Sequence, residues 1–149
     1  MLHMIRDPED LNNEDSLERL SRVRESGKIR FCGYSSHNDH AGNFDAAIKS
    51  WFYDVAMVPY NHAGNYTHSV SKTYNEWDQP AMEKKFDEAV AVGMGIIAMK
   101  TYSAGPYKAE GESEPSFKSA LKWILRNRNT HPDWNFDKFL QKKFEAGTG

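Results

Sequence analysis

Met82-Glu83-Lys84-Lys85-Phe86-Asp87-Glu88-Ala89-Val90-Ala91-Val92-Gly93-Met94-Gly95-Ile96-Ile97-Ala98-Met99 is the stretch that decides the fold class. Met82, Phe86, Ala89 and Val90 recur at helical spacing and form one apolar face. Gly93 supplies the stop expected just past a helix. Gly95 to Met99 is then apolar almost throughout. A run without polar alternation predicts a strand buried on both faces, as in a parallel sheet covered by helices.

The same pattern extends in both directions. Upstream, Leu17, Leu20 and Val23 predict a helix that ends at Gly27, with Asp15 or Ser16 as its cap. Ile29 to Gly33 predicts a short apolar strand, and Ser35-Ser36-His37-Asn38-Asp39 a polar loop after it. Phe44, Ala47, Ile48 and Trp51 then share one helix face, and Asp54 to Val58 predicts a second strand. Downstream, Phe117, Ala120, Leu121, Ile124 and Leu125 give the clearest helical stripe in the chain. Strand followed by helix, three times in order, means βα units with right-handed crossovers. Periodicity fits an open flavodoxin-like sheet and a sector of a barrel equally well.

The remaining segments are less regular. Leu2 to Ile5 reads as the end of a strand, and His62 to Gln79 as a long polar and aromatic loop of the kind that carries function. Past Asn129, Pro132 and its polar neighbours do not suit a buried strand. The expected division is a domain over residues 1–129 and a charged, atypical tail over 130–149.

Bulk properties narrow the function. The 149 residues are enough for one core, whereas a complete (β/α)8 barrel takes about 250. A net charge of −2 without basic clustering argues against nucleic acid. No apolar run is long enough to span a bilayer, and Met1 to Asp7 has no signal-peptide core. A single cysteine, Cys32, excludes an internal disulfide and suits a reducing compartment. The expectation is a cytoplasmic protein.

Five strings, in order, resemble the aldo/keto reductase family. Leu2-His3 is similar to the end of the family's fourth barrel strand. Gly27-Lys28-Ile29-Arg30-Phe31-Cys32-Gly33-Tyr34-Ser35-Ser36-His37-Asn38 resembles its fifth strand and loop. Asp54 to Asn61 resembles the sixth strand, and Gly93 to Lys100 the seventh. Ala120-Leu121-Lys122-Trp123-Ile124-Leu125 resembles the helix that follows. The resemblance covers roughly residues 2–129. It implies an α/β fold, a partial (β/α)8 TIM barrel of about strands four to seven with a parallel sheet. It also implies NADP-dependent oxidoreduction of carbonyl compounds, with the site at the C-terminal ends of the strands.

What the resemblance implies for single residues is uneven. The family's proton-donating tyrosine and its tuning lysine and aspartate belong to the first barrel half, which has no match here. Only His3 matches a catalytic position. Ser35 and Ser36 match the place where the nicotinamide carboxamide is held, and Ser36 stands where asparagine is frequent. Met57 stands where many members carry an amide, and a thioether cannot make that bond. Lys100, Ser103 and Gly105 follow strand seven, where the nicotinamide and pyrophosphate are positioned. No segment matches the family's 2′-phosphate site after strand eight, so NADP binding is expected to be weak or lost, and the chain inactive alone.

Two other classes compete. A half barrel leaves unpaired sheet edges, which tend to pair with another chain. The chain would then be a non-catalytic module that associates with itself or with a complementary half. A hydrolase or isomerase on an unrelated α/β fold would need a nucleophile–base pair, and none stands out. His37, His40, His62 and His68 lie in loops without the spacing of a metal site, so no metal is expected. Cys32 reads as a small core residue, the four tryptophans as packing or loop anchors, and Glu110 to Glu114 as a solvated acidic run.

Overall fold

The computed structural model describes residues 1–68, 71–102 and 117–130. Ser103 and Gly105, the acidic run and the tail past residue 130 lie outside them. The elements are β1 (Leu2–Ile5), a 3-10 turn (Pro8–Asn12), α1 (Glu14–Glu25), β2 (Gly33–Ser36), α2 (His40–Ser50) and β3 (Val55–Pro59). They continue with β4 (Asn65–Thr67), β5 (Tyr74–Glu76), α3 (Gln79–Ala91), β6 (Gly95–Met99), α4 (Phe117–Leu125) and a closing 3-10 turn (Arg128–Thr130).

The chain is α/β. Four strands form one parallel sheet in the order β1-β2-β3-β6. The order never reverses. Right-handed crossovers that all advance the same way place their helices on one side of a sheet. That side is the core. Tyr34, Ala56 and Val58 project there and meet Phe44 and Ala47 of α2 and Met82, Phe86 and Ala89 of α3. Phe86 sits at the centre, its ring 5.7 Å from Phe44 and 5.0 Å from Tyr60.

The opposite face differs from the expectation of burial on both sides. Ser35, Met57 and Ile97 lie side by side across β2, β3 and β6. Ile97 is 43 % exposed and Met57 is half-buried. Ser35 is fully buried under His3 and Met4, but among the described residues no second layer covers Ile97. The apolar run of β6 therefore marks a face that is apolar but open.

Helix ends follow local chemistry. Asn13 caps α1 by accepting the Ser16 N–H at 3.0 Å, in place of the expected Asp15 or Ser16. Glu14 and Asp15 instead occupy the first turn, where carboxylates suit the helix dipole. Asp39 caps α2 and Asp78 caps α3 in the same way. Gly27 and Gly93 take left-handed φ values of 73° and 84° just past their helices, as expected. Trp51 was expected on the buried face of α2. It lies one residue past the helix, left-handed and 66 % exposed. On α4, Ala120 and Ile124 are buried, whereas Leu121 and Leu125 are 46 % and 40 % exposed.

Two segments depart further from the sequence reading. The strand expected at Ile29–Gly33 runs from Gly33 to Ser36, so Ser35 and Ser36 are ladder residues rather than loop. Asp54 sets this register. Its carboxylate accepts the Cys32 N–H at 2.7 Å, and its own N–H donates to the Cys32 carbonyl at 2.7 Å. A Cβ on Gly33 would lie 2.7 Å from the Val55 carbonyl oxygen, so only glycine permits the two strands to approach there. Arg24 bonds the same carboxylate at 3.0 Å and the Phe52 carbonyl at 2.9 Å, tying the end of α1 to the start of β3. The second departure is the loop from His62 to Gln79, which contains the antiparallel hairpin β4–β5. Its three-residue strands are too short and polar for a period of two to show; Tyr66 is their one buried side chain.

Cys32 is buried and free, as expected of a core thiol. The Tyr34 hydroxyl is buried with no hydrogen-bond partner among the described residues, a cost of about 1–3 kcal/mol. Burial beside Tyr53 raises its pKa strongly, so it stays a phenol. Among the described residues no helix is long and apolar enough to cross a membrane.

Candidate functional site

All four parallel strands end at the same edge of the sheet, and the chain continues there into Arg6, His37, Tyr60 and Lys100. Two backbone bonds extend the ladder past the strands. His37 N–H donates to the Ile5 carbonyl at 3.0 Å, and Tyr60 N–H to the Met99 carbonyl at 2.9 Å. Asn61 pins the next layer. Its amide donates to the carbonyls of Asn65 at 2.9 Å and Lys100 at 3.0 Å, and its oxygen accepts the Ala63 N–H at 3.0 Å. Gln79 donates to the Asn61 carbonyl at 2.9 Å. The hairpin and the start of the segment after β6 are thus fastened to one buried side chain.

His3 is exposed at the second position of β1, on the sheet face opposite the helices. Its Nδ1 is 2.9 Å from the Ser35 hydroxyl, which also accepts the Met4 N–H at 3.0 Å. The hydroxyl keeps one proton and a second lone pair, so which of Ser35 and His3 donates follows the His3 tautomer. Met4 takes a φ of 61°, which interrupts the β1 register between Leu2 and Ile5. The kink separates the backbone of β1 from the strict alternation of its neighbours.

Ser36 is committed to structure. It donates to the Asn38 carbonyl at 3.0 Å, accepts from the Asn43 amide at 3.0 Å, and lies 2.8 Å from His40 Nδ1. A hydroxyl has one proton, so with Asn38 receiving it His40 must donate. His40 donates from Nδ1 in either protonation state, and burial favours the neutral ring. Its pKa falls from 6.5 to about 4, because burial opposes the charged ring; nearby His37 lowers it further and Asp39 opposes the fall.

The residues expected to face the cofactor are spread over this edge. Ser35 and Ser36 are fully buried, with their oxygens engaged inside the protein. Met57 lies beside Ser35 on the open face. Lys100 adopts a left-handed φ of 55°, and its ammonium lies 5.8 Å from the centre of the Tyr66 ring. The described residues do not by themselves fit a nicotinamide. The carboxamide donors that the resemblance implies are occupied, and Met57 has none to add.

Two cavities open here. The larger, about 610 Å³, lies between the start of α2, the hairpin and the start of α3. Asp39, Glu76, Asp78, Lys85 and the half-buried Trp77 give it mixed charge without a focus. The smaller, about 290 Å³, lies where β1 and β2 end, under the hairpin. Arg6, His37 and His68 line it, together with Tyr66 and the polar side chains of the hairpin. The pKa of His37 lies below its ordinary value. Burial is the main cause, followed by electrostatic repulsion from Lys100, His3, His68 and Arg6 when its ring is charged. His37 and His3 meet edge to face, 5.9 Å apart.

The loop histidines are thus sorted by the fold. His37 and His68 share a cavity, His40 turns inward to Ser36, and His62 packs near Trp123. Among the described residues no group of three histidine, cysteine or carboxylate side chains converges to hold a metal. Arg6 and Tyr66 carried no signal in the sequence. Their importance comes from the parallel pairing of β1 with β2 and from the hairpin. No family model, curated protein or solved structure matches the chain.

Proposed function

We propose that this chain is half of an aldo/keto reductase-like barrel, a truncated relative of NADP-dependent enzymes that act on small carbonyl compounds. The observation that carries the reading is the strand order. Four parallel strands follow one another without a switch point. A doubly wound open sheet reverses its order at its ligand crevice, and a barrel does not. Support also comes from His3, the only match to a catalytic position, which is exposed on β1 beside Ser35.

On this reading the chain lacks catalytic power of its own. Reduction needs a proton donor beside the carbonyl, and the tyrosine, lysine and aspartate for that role have no match in the 149 residues. His3 alone would orient a carbonyl oxygen. NADP would be held weakly or not at all, because the Ser35 and Ser36 oxygens are already bonded. A cytoplasmic setting agrees with the free Cys32. The purified 149-residue chain is expected to oxidise no NADPH with simple aldehydes and to give no saturable change in NADPH fluorescence below millimolar cofactor. Measurable turnover would overturn the claim that the missing residues are essential.

A second reading, a non-catalytic pairing module, is favoured by the open face. Ile97 and Met57 are uncovered, and β1 and β6 are the edges of the sheet among the described residues. Edges of this kind pair with other chains. A second copy, or a separate complementary half, would close the cylinder and cover Met57 and Ile97. Sedimentation of the pure protein at micromolar concentration is expected to show a dimer. A folded monomer would remove self-pairing from consideration.

A further inference from the structure

We propose that the cavity at the ends of β1 and β2 binds the phosphate group of a small molecule. Arg6, His37 and His68 line it, and Ser71, Thr73 and Asn75 of the hairpin face it. No aspartate or glutamate is among its described lining residues. Lys100 adds a positive charge that His37 senses. The Asp10 carboxylate, close in sequence, accepts the backbone N–H groups of Arg6 and Asp7 at 3.4 Å.

Donor chemistry supports an anion. His68 Nδ1 accepts the Ser71 N–H at 3.1 Å, which holds this ring at the cavity wall and places the proton of its neutral form on Nε2. The His37 Nε2 is shut off from solvent and has no partner among the described residues. A cavity lined by Arg6, His37 and His68 with no carboxylate among its described lining residues suits an anion, and the planar Arg6 fork matches phosphate oxygens. A volume of about 290 Å³ lies at the small end of ligand sites, which points to a short phosphorylated molecule.

The inference does not rest on the carbonyl-reductase reading. Inactivity towards aldehydes leaves it intact, and loss of phosphate binding leaves the barrel reading intact. The test uses the 149-residue chain and inorganic phosphate, with sodium chloride at matched ionic strength as the control. Histidine ring resonances are followed against pH by NMR. Phosphate is expected to saturate and to raise the apparent pKa of His37 by about one pH unit, as an opposite charge within reach would. Arg6 is exposed, so Arg6→Gln should leave the circular dichroism spectrum unchanged. It should weaken phosphate binding about tenfold, the loss of one charge-assisted hydrogen bond. His68→Asn is expected to weaken it in the same direction. An equal rise in chloride, no rise, or unchanged affinity in both variants would overturn the proposal. Acetate reproducing the full effect would reassign the cavity to carboxylates and overturn the phosphate assignment.

Discussion

Phe86→Ala is expected to lower the free energy of unfolding by about 3–5 kcal/mol, the range for deleting a fully buried aromatic ring. The ring has no solvent exposure and touches the two elements that α3 must hold. Its neighbours are Phe44 of α2, at 5.7 Å, and Tyr60 just past β3, at 5.0 Å. Neither can close the gap, because both rings are themselves fully buried and packed. A domain is stable by only about 5–15 kcal/mol, so this loss would unfold much of the population near physiological temperature. The urea midpoint reads the effect. Lys84, on the outer side of the same helix with its side chain 77 % exposed, supplies the control. Lys84→Ala should stay within about 0.5 kcal/mol of the parent. A Phe86→Ala loss as small as the control's would mean that α3 does not pack where the structure places it.

Acid should destabilise the protein well before its carboxylates titrate, and His40 is the main cause. In the unfolded chain this ring takes a proton near pH 6.5, and in the fold only near pH 4. Between those values the unfolded chain binds the extra proton, so stability falls as pH falls. The protection is complete above pH 6.5 and lost once pH has dropped to about 4. A fully developed effect is worth on the order of 3 kcal/mol. His37, also held below its ordinary value, adds in the same direction. Denaturant midpoints at about pH 7 and about pH 4.5 should therefore differ clearly for the parent and much less for His40→Gln, whose amide can still donate to Ser36. Identical pH slopes in the two proteins would show that His40 is not the group being protonated.

These two residues were unequally visible in the sequence. Phe86 was legible because helical spacing with Met82 and Ala89 announces a buried face, whatever that face packs against. His40 was visible only as a loop histidine. Its buried partnership with Ser36 depends on β2 extending three residues further than side-chain hydrophobicity indicates. Serine oxygens satisfied by Asn38 and Asn43 can be buried as safely as carbon, and a hydropathy pattern does not record that satisfaction.

The order of helices and strands, the glycine stops after α1 and α3, and the apolar extent of β6 follow from local rules, because each depends on residues within one or two turns. The sequence by itself therefore determined an α/β chain with a buried helix-side face. Only the tertiary structure decided the rest. It chose the consecutive strand order, buried Ser35 while leaving Ile97 open on the same face, and folded a polar loop into the hairpin that roofs the small cavity. Those outcomes rest on contacts between segments thirty or more residues apart, such as Met4 with Ser35 and Asn61 with Lys100. No local pattern encodes such contacts, because their energy appears only when both partners are already in place.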